Sequence, residues 1–384
     1  MSLPDFPFAL FRDDLAGSEV LFEQPSSIIV ADDESSFEPA LQAAEAAQAA
    51  GKWLAGYLSY EAGYLLEPKL APLLPGGRRA PLVCLGVFDA PTDRVPPRRP
   101  QPATNGPIFD ARATWSFPDY EKRFSRLHRH LREGDCYQGN LTFPVRAQWS
   151  GDPLAAFDAL TARQPVRHGA LVALDGPVVL SRSPELFFKV DAEGWIETLP
   201  MKGTAPRGAT KEEDERLREF LRADEKNQAE NRMIVDLLRN DISLVSEVGS
   251  LDVPELFRIE TYPTLHQMVS RVRAKLLPGL SIRRIFAALF PCGSITGAPK
   301  IRAMEILHEL EGTPRDVYCG AIGWIAPNGT MRFSVAIRTI SLFPDGEAVY
   351  NVGGGVVFDS TAEEEYAECL LKARFATGSA PASG

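Results

Sequence analysis

The 384-residue chain has no apolar run near the ~18 residues that a membrane-crossing helix needs, and its N-terminus shows no basic-then-apolar leader. Its five cysteines (Cys84, Cys136, Cys292, Cys319 and Cys369) are odd in number, scattered, and form no CxxC. That argues against a disulfide framework or a zinc site and predicts reduced thiols in a cytoplasmic protein. A surplus of positive charge is also missing: 41 Lys and Arg face 51 Asp and Glu, for a net charge of -10. No nucleic-acid partner is expected from that balance, and no membrane. An anionic metabolite would need a local basic pocket or a divalent cation. Gly293 to Lys300 superficially resembles a phosphate loop, but Pro299 separates Gly297 from Lys300 and Ile301 follows, so the P-loop spacing is absent.

What remains is the composition of a globular protein, 45% hydrophobic and 24% charged, long enough for two lobes or one large sandwich. The Pro- and Arg-rich stretch Val95–Pro100 suggests a connector, giving an N-terminal α+β portion (1–95), a linker (96–114), a main domain (115–377) and a flexible tail (378–384). Ser36 caps a predicted helix, and Pro118 to Gly134 reads as another on the spacing of Tyr120, Phe124, Leu127 and Leu131. Further helices are expected after Asp152, after Thr210, over Glu225–Arg239, over Pro299–Glu311 and over Ala362–Phe375. Strand-like runs cluster between them, and Asn328-Gly329 is a strong hairpin signal between Tyr318–Ala326 and Met331–Ser341. Hairpins joined to hairpins, with helices in separate blocks, predict an α+β fold of large antiparallel sheets.

One lysine stands out. Pro200-Met201-Lys202-Gly203-Thr204 follows a strand-like run and places Lys202 on a stiff turn, suited to a nucleophilic amine or an anion ligand. Asn227 and Glu230 share one helical face, as do Glu365, Glu368 and Lys372 on another; two inward glutamates suit Mg²⁺. Arg338 lies in the apolar run Phe333–Ile340 and needs a partner, for which a ligand carboxylate is suitable. Gly353-Gly354-Gly355 follows a strand and offers backbone N–H groups to an anion. His266 reads either as a proton donor or as a core histidine. Glu185 precedes Leu186-Phe187-Phe188, an apolar flank able to raise its pKa toward general-acid use.

From Phe117 to Phe375 these motifs, with Glu133–Gln138, Ala229-Glu230-Asn231, Asp236–Asp241, His266–Ser270, Tyr318-Cys319-Gly320 and Ala336–Thr339, resemble the chorismate-utilising enzymes. The resemblance implies a sandwich of antiparallel sheets with flanking helices. It also implies that Glu230 and Glu368, with Glu365 through water, hold Mg²⁺ against the ring carboxylate of chorismate. Tyr318, Arg338, Gly353, Gly354, Gly355 and Lys372 would receive the other carboxylate, and Gly203 and Thr204 would border the substrate. Lys202 would attack C2, Glu185 would protonate the departing C4 hydroxyl, and His266 and Thr296 would lie near that oxygen. Relatives that make anthranilate carry a small residue in place of Lys202, and isochorismate synthases carry a lysine in place of Gln138. An amide is no base for water at neutral pH. The pair therefore points to ammonia and to amination at C4. Asn227 stands where several relatives have a second Glu. The chain has no Gly-x-Cys-x-Gly elbow, so a separate glutamine amidotransferase subunit is expected to supply ammonia. In tryptophan-regulated relatives the N-terminal third holds an effector pocket; Phe22–Ser26 matches that pattern poorly, and no feedback inhibition is expected.

Overall fold

The computed structural model describes residues 7–92, 107–262 and 265–382. Within them the strands form two large sheets, and every strand pairing is antiparallel. The first sheet runs Ser18–Glu23, Phe8–Asp13, His168–Ala173, Val178–Ser183, Thr339–Leu342, Glu347–Val356, Gln138–Trp149 and Gly297–Ala298, with Ile108–Ala113 also on Gln138–Trp149. The second runs Met201–Pro206, Leu265–Lys275, Trp195–Thr198, Leu186–Val190, Met331–Val335, Ala321–Ile325, Trp53–Leu58, Val83–Phe88 and Ser27–Ala31, with Asp252–Thr261 also on Leu265–Lys275.

Three cores hold these layers together. One lies between the sheets, where Ala9, Ala55, Ala170 and Ala336 pack with Phe22, Tyr57 and Phe88. The second sheet's outer face packs on helices Glu34–Ala49, Glu225–Ser243 and Ile282–Leu289 through Phe37, Leu238 and Phe286. The first sheet's outer face packs on Phe117–Glu133, Pro153–Arg163, Lys300–Glu311 and Ala362–Thr377 through Tyr120, Phe157, Leu307 and Cys369. Apolar burial on both faces of both sheets is the main stabilising term. The result is the expected sheet sandwich with flanking helices. Among the described residues no helix is long and apolar enough to cross a membrane.

Local chemistry sets most helix ends. Ser116 accepts from the Asp119 amide while Asp119 returns the bond, and Gly134 ends that helix at φ 80°. Asp152 and Thr210 cap their helices, and Gly312 stops Lys300–Glu311 at φ 65°. The first long helix begins earlier than expected: Asp33 is its cap, and Ser36 is the return partner in the capping box.

The segmental division does not hold in space. Residues before the proline-rich stretch supply Phe8–Asp13 and Ser18–Glu23 to the first sheet and three strands to the second, so all three of these cores span the boundary. Residues 93–106 lie outside the described residues, and the rest of the expected linker includes the paired strand Ile108–Ala113. The tail is bonded up to Ala382, whose amide and carbonyl bond Ala111 and Ala113.

The chain changes sheets at corners. Val178–Ser183 is in the first sheet and Leu186–Val190 in the second, so Glu185 sits at the crossing. The expected single strand Met331–Ser341 is likewise two strands, Met331–Val335 in the second sheet and Thr339–Leu342 in the first. Arg338 therefore occupies a corner at φ 50° rather than a strand interior.

Candidate active site

Lys202 is aimed by an irregularity in its strand. The register slips between Met201↔Val269 and Thr204↔Gln267, leaving Lys202 and Gly203 as a bulge. A bulge re-aims the side chain it carries. Gly203 makes the turn at φ 84°, and a Cβ there would lie 2.8 Å from Asn227 Oδ1. Gln267 fixes the bulge from the neighbouring strand by donating to the Gly203 carbonyl at 2.7 Å.

Opposite Lys202 lies the strand Glu347–Val356. Its three glycines are not a loop after a strand, as expected from sequence, but the strand's last turn of ladder, in register with Asn140–Thr142. Their lack of side chains is what makes the site. A Cβ on Gly355 would meet Gln138 Nε2 at 3.2 Å and Lys202 Nζ at 3.3 Å, and one on Gly354 would meet Glu365 Oε2 at 2.5 Å. A close approach of this kind is the usual reason for glycine inside a strand. Lys372 Nζ donates to the Gly353 carbonyl at 2.9 Å, so the polar groups of Gly353 face away from the Gln138 strand. By strand alternation those of Gly355 do too. These two amides are the ones placed to meet a ligand.

Gln138 is 1% exposed, and neither end of its amide has a hydrogen-bond partner. An unpartnered buried amide is costly, and a ligand or an ordered water can complete its bonding. Glu185 is buried too. Burial pushes its carboxyl up to about 7 against the opposing effects of a Ser294 hydrogen bond and the Lys202 charge. Ser294, which the sequence reading did not single out, sits on the buried turn Gly293–Ile295. Thr296 follows it, fully buried, its hydroxyl donating to the Cys292 and Gly293 carbonyls at 3.2 and 3.3 Å. The turn then pairs Gly297 and Ala298 with Gly139 and Gln138, tying the Glu185 side to the Gln138 side.

The helix-borne carboxylates form the other wall. Glu368 bonds Lys372 at 2.7 Å; burial alone would raise its carboxyl, but Lys372, Lys202 and Lys226 hold it below the usual range. Glu365 accepts from Ser360 at 2.7 Å, and burial and the Glu368 charge raise it. Glu230 lies one turn beyond Asn227 on its helix, with no ion pair or hydrogen bond among the described residues. The three carboxylates do not converge on one point: the described group tight enough to share an ion is His130, Glu133 and Asp135, elsewhere on the surface. Carboxylate oxygens from two helices, one set half-exposed and one unpartnered, nonetheless fit a hard cation that keeps several waters.

Arg338 has no carboxylate partner among the described residues, and burial lowers its pKa. Tyr318 is 8% exposed and packs near Arg315 and Cys369. Two expected residues are otherwise engaged. His266 is 1% exposed with both ring nitrogens used, Nδ1 on Thr261 and Nε2 on Asp214, each at 3.0 Å. It serves the join between its strand and helix Lys211–Ala223, not an open site. Thr204 is exposed and donates to Gln267 at 3.0 Å, because strand alternation turns it away from the site.

The model of the chorismate binding enzyme family matches residues 7–378. Over 294 residues the chain is 41% identical to aminodeoxychorismate synthase component 1 of Klebsiella aerogenes, covering 76% of this chain and 65% of that protein. The aminodeoxychorismate synthase of Streptomyces pristinaespiralis is 42% identical over 285 residues, 74% of this chain and 40% of that protein. An anthranilate synthase component 1 of Haloarcula marismortui is 41% identical over 259 residues, 67% and 52% of the two chains. The chain thus spans less than two thirds of the length of these curated relatives. Among solved structures, anthranilate synthase component I from Streptococcus pneumoniae superposes with a TM-score of 0.78 at 25% identity, over 98% of this chain and 93% of that one. The family match runs over nearly the whole chain, and the chain belongs to the chorismate-binding enzymes.

Proposed function

We propose that this chain aminates chorismate to 4-amino-4-deoxychorismate, the step that commits it to p-aminobenzoate and folate, with ammonia supplied by a separate glutamine amidotransferase subunit. The observation that carries the reading is Lys202 on its bulge, facing the bare Gly355 backbone and the unpartnered Gln138 amide, with the buried Glu185 close enough to feel its charge. Identity alone does not choose between relatives named for aminodeoxychorismate and those named for anthranilate, which match at the same 41%. The lysine at 202 favours the first.

Lys202 Nζ forms a bond to ring C2 as the double bond shifts and the C4–O bond breaks. Glu185, whose carboxyl burial pushes up to about 7, gives its proton to the departing oxygen, which leaves as water. Ammonia then attacks C4, the double bond shifts back, and the C2–N bond to Lys202 breaks. Arg338, Lys372 and the Gly353 and Gly355 amides bind the enolpyruvyl carboxylate. Gln138 cannot activate water, which keeps hydrolysis from competing. Glu230 and Glu368, with Glu365 behind them, would hold Mg²⁺, whose positive charge would neutralise and fix the ring carboxylate. Five buried, unpaired thiols fit a reducing compartment, the cytoplasm.

The test is to incubate the protein with chorismate, Mg²⁺ and ammonium, then add a lyase that releases p-aminobenzoate. Product from the wild type, with loss on the order of a thousandfold or more in Lys202→Ala, is expected. Fluorescent anthranilate as the product, or full activity in Lys202→Ala, overturns the reading.

A further inference from the structure

The side chain that ties the site together is not one that touches it. Arg315 is 2% exposed and follows helix Lys300–Glu311. Its guanidinium donates to four acceptors from three parts of the chain. Nε and Nη2 grip the Glu311 carboxylate at 2.8 and 2.7 Å, Nη1 reaches the Ile295 carbonyl at 3.0 Å, and Nη2 reaches the Asn140 carbonyl at 2.8 Å. Ile295 closes the turn whose Ser294 bonds Glu185 and whose next residue is Thr296. Asn140 is two residues from Gln138 and opposite Gly355. Glu311 in turn accepts from the amide and hydroxyl of Thr142 at 2.9 and 3.0 Å. The Arg315 amide donates to buried Glu61 at 2.7 Å, its carbonyl accepts from the Tyr318 amide at 3.1 Å, and its cation lies 4.3 Å from the Tyr60 ring.

We propose that Arg315, oriented by Glu311, is a positioning residue that sets the spacing between the proton-donating side of the site (Glu185, Ser294, Thr296) and its opposite wall (Gln138, Gly355). The inference rests on the proposed amination. A lysine keeps the charge beside Glu311 but has one nitrogen on a flexible stem, so it cannot hold carboxylate, turn and strand together. The forked geometry, more than the charge, is the function. A pure stability role would need only the buried pair with Glu311; the two bonds to backbone carbonyls of opposite walls are what a spacer needs.

The experiment compares wild type, Arg315→Lys and Thr142→Val in the coupled amination assay across pH 6–9. Thr142→Val removes one support of Glu311 at nearly constant volume and decides the matter if Arg315→Lys does not fold. Looser spacing admits water to Glu185, whose charged and titratable neighbours are Lys202 and the Cys292 thiol beside the Ser294 hydroxyl. In Arg315→Lys, kcat should fall about 10–100-fold with KM for chorismate changed less than about twofold, since misplacement by about an ångström costs on that order. The alkaline limb of its pH–rate profile should move to lower pH. Thr142→Val should shift both in the same direction by a smaller amount. A folded Arg315→Lys protein with wild-type kcat and limb, or failing folding of that variant, a Thr142→Val protein with wild-type kcat and limb, overturns the proposal. Absence of product from the wild type would instead overturn the amination itself.

Discussion

The two walls of the site are built differently. Around Glu185 every element is buried and interlocked: the Gly293–Ile295 turn, the Gln138 strand and Arg315 are bonded to one another. Around Glu368 the groups are half-exposed and carried on helices, with Lys372 shared between Glu368 and the Gly353 carbonyl. A preorganised wall suits proton delivery, where donor placement and desolvation decide the rate. An adjustable one suits capture: in the proposed function Lys372 would leave Glu368 for a carboxylate ligand and free that oxygen for a cation. Chemistry is therefore expected to be sensitive to changes on the first wall, and metal and substrate affinity to changes on the second.

The largest effect should come from the rigid wall. Glu185→Gln is expected to lower kcat about 10²–10⁴-fold and to erase the alkaline limb near pH 7 expected of the wild type. A variant that keeps that limb would show that another group supplies the proton. On the adjustable wall, Glu368→Ala should raise the Mg²⁺ needed for half-maximal thermal stabilisation about 10–100-fold, with kcat at saturating metal much less affected. Equal Mg²⁺ response in both proteins would remove Glu368 from the cation site. The glycine strand separates the walls more finely. Gly353→Ala puts a Cβ 2.6 Å from the Leu141 carbonyl, a backbone atom, and should cost about 1–3 kcal/mol of stability in denaturant titration. Gly354→Ala meets only the end of the Glu365 side chain, so it should be milder for stability and raise KM.

The smallest effect concerns pH and stability. Glu61 is pushed up to about 8 by burial and by Asp316, and Glu185 to about 7. At these two groups the native state holds more protons than the unfolded chain between about pH 4.5 and their folded values. Their contribution to stability is full below the unfolded values and is lost as pH rises through the folded ones. Glu61→Gln should flatten the fall in unfolding free energy between pH 6 and 8.5. An unchanged slope would show that Glu61 ionises normally in the fold.

What the sequence disclosed follows from how local each signal is. Caps at Ser116, Asp152 and Thr210 and stops at Gly134 and Gly312 are set within a few residues, and the helices they bound were readable. The breaking of Met331–Ser341 was not, because sheet membership depends on partners far along the chain and Arg338 gives no local sign of its positive φ. The motif residues Lys202, Glu185, Glu230 and Glu368 were recognisable by their resemblance to a family. Arg315 and Ser294 were not: after Thr313-Pro314 an arginine reads as a solvated loop cation, and only the fold shows it enclosed. Glu61, flanked by Tyr60 and Ala62-Gly63-Tyr64, carried a faint signal, a charge inside an apolar run. His266, read either as a proton donor or as a core histidine, is buried with both nitrogens spent on holding strand to helix, a pairing that only the fold discloses.

The alanines between the sheets have a reach that their size conceals. Glu185 and Arg338 each sit where the backbone steps from one layer to the other, on neighbouring segments bonded through Arg182–Arg338 and Val335–Glu185, and Ala9, Ala55, Ala170 and Ala336 pack between those layers. Ala336 is two residues from Arg338 itself. A methyl group more at any of these spacers would pry the layers apart and shift both corners at once.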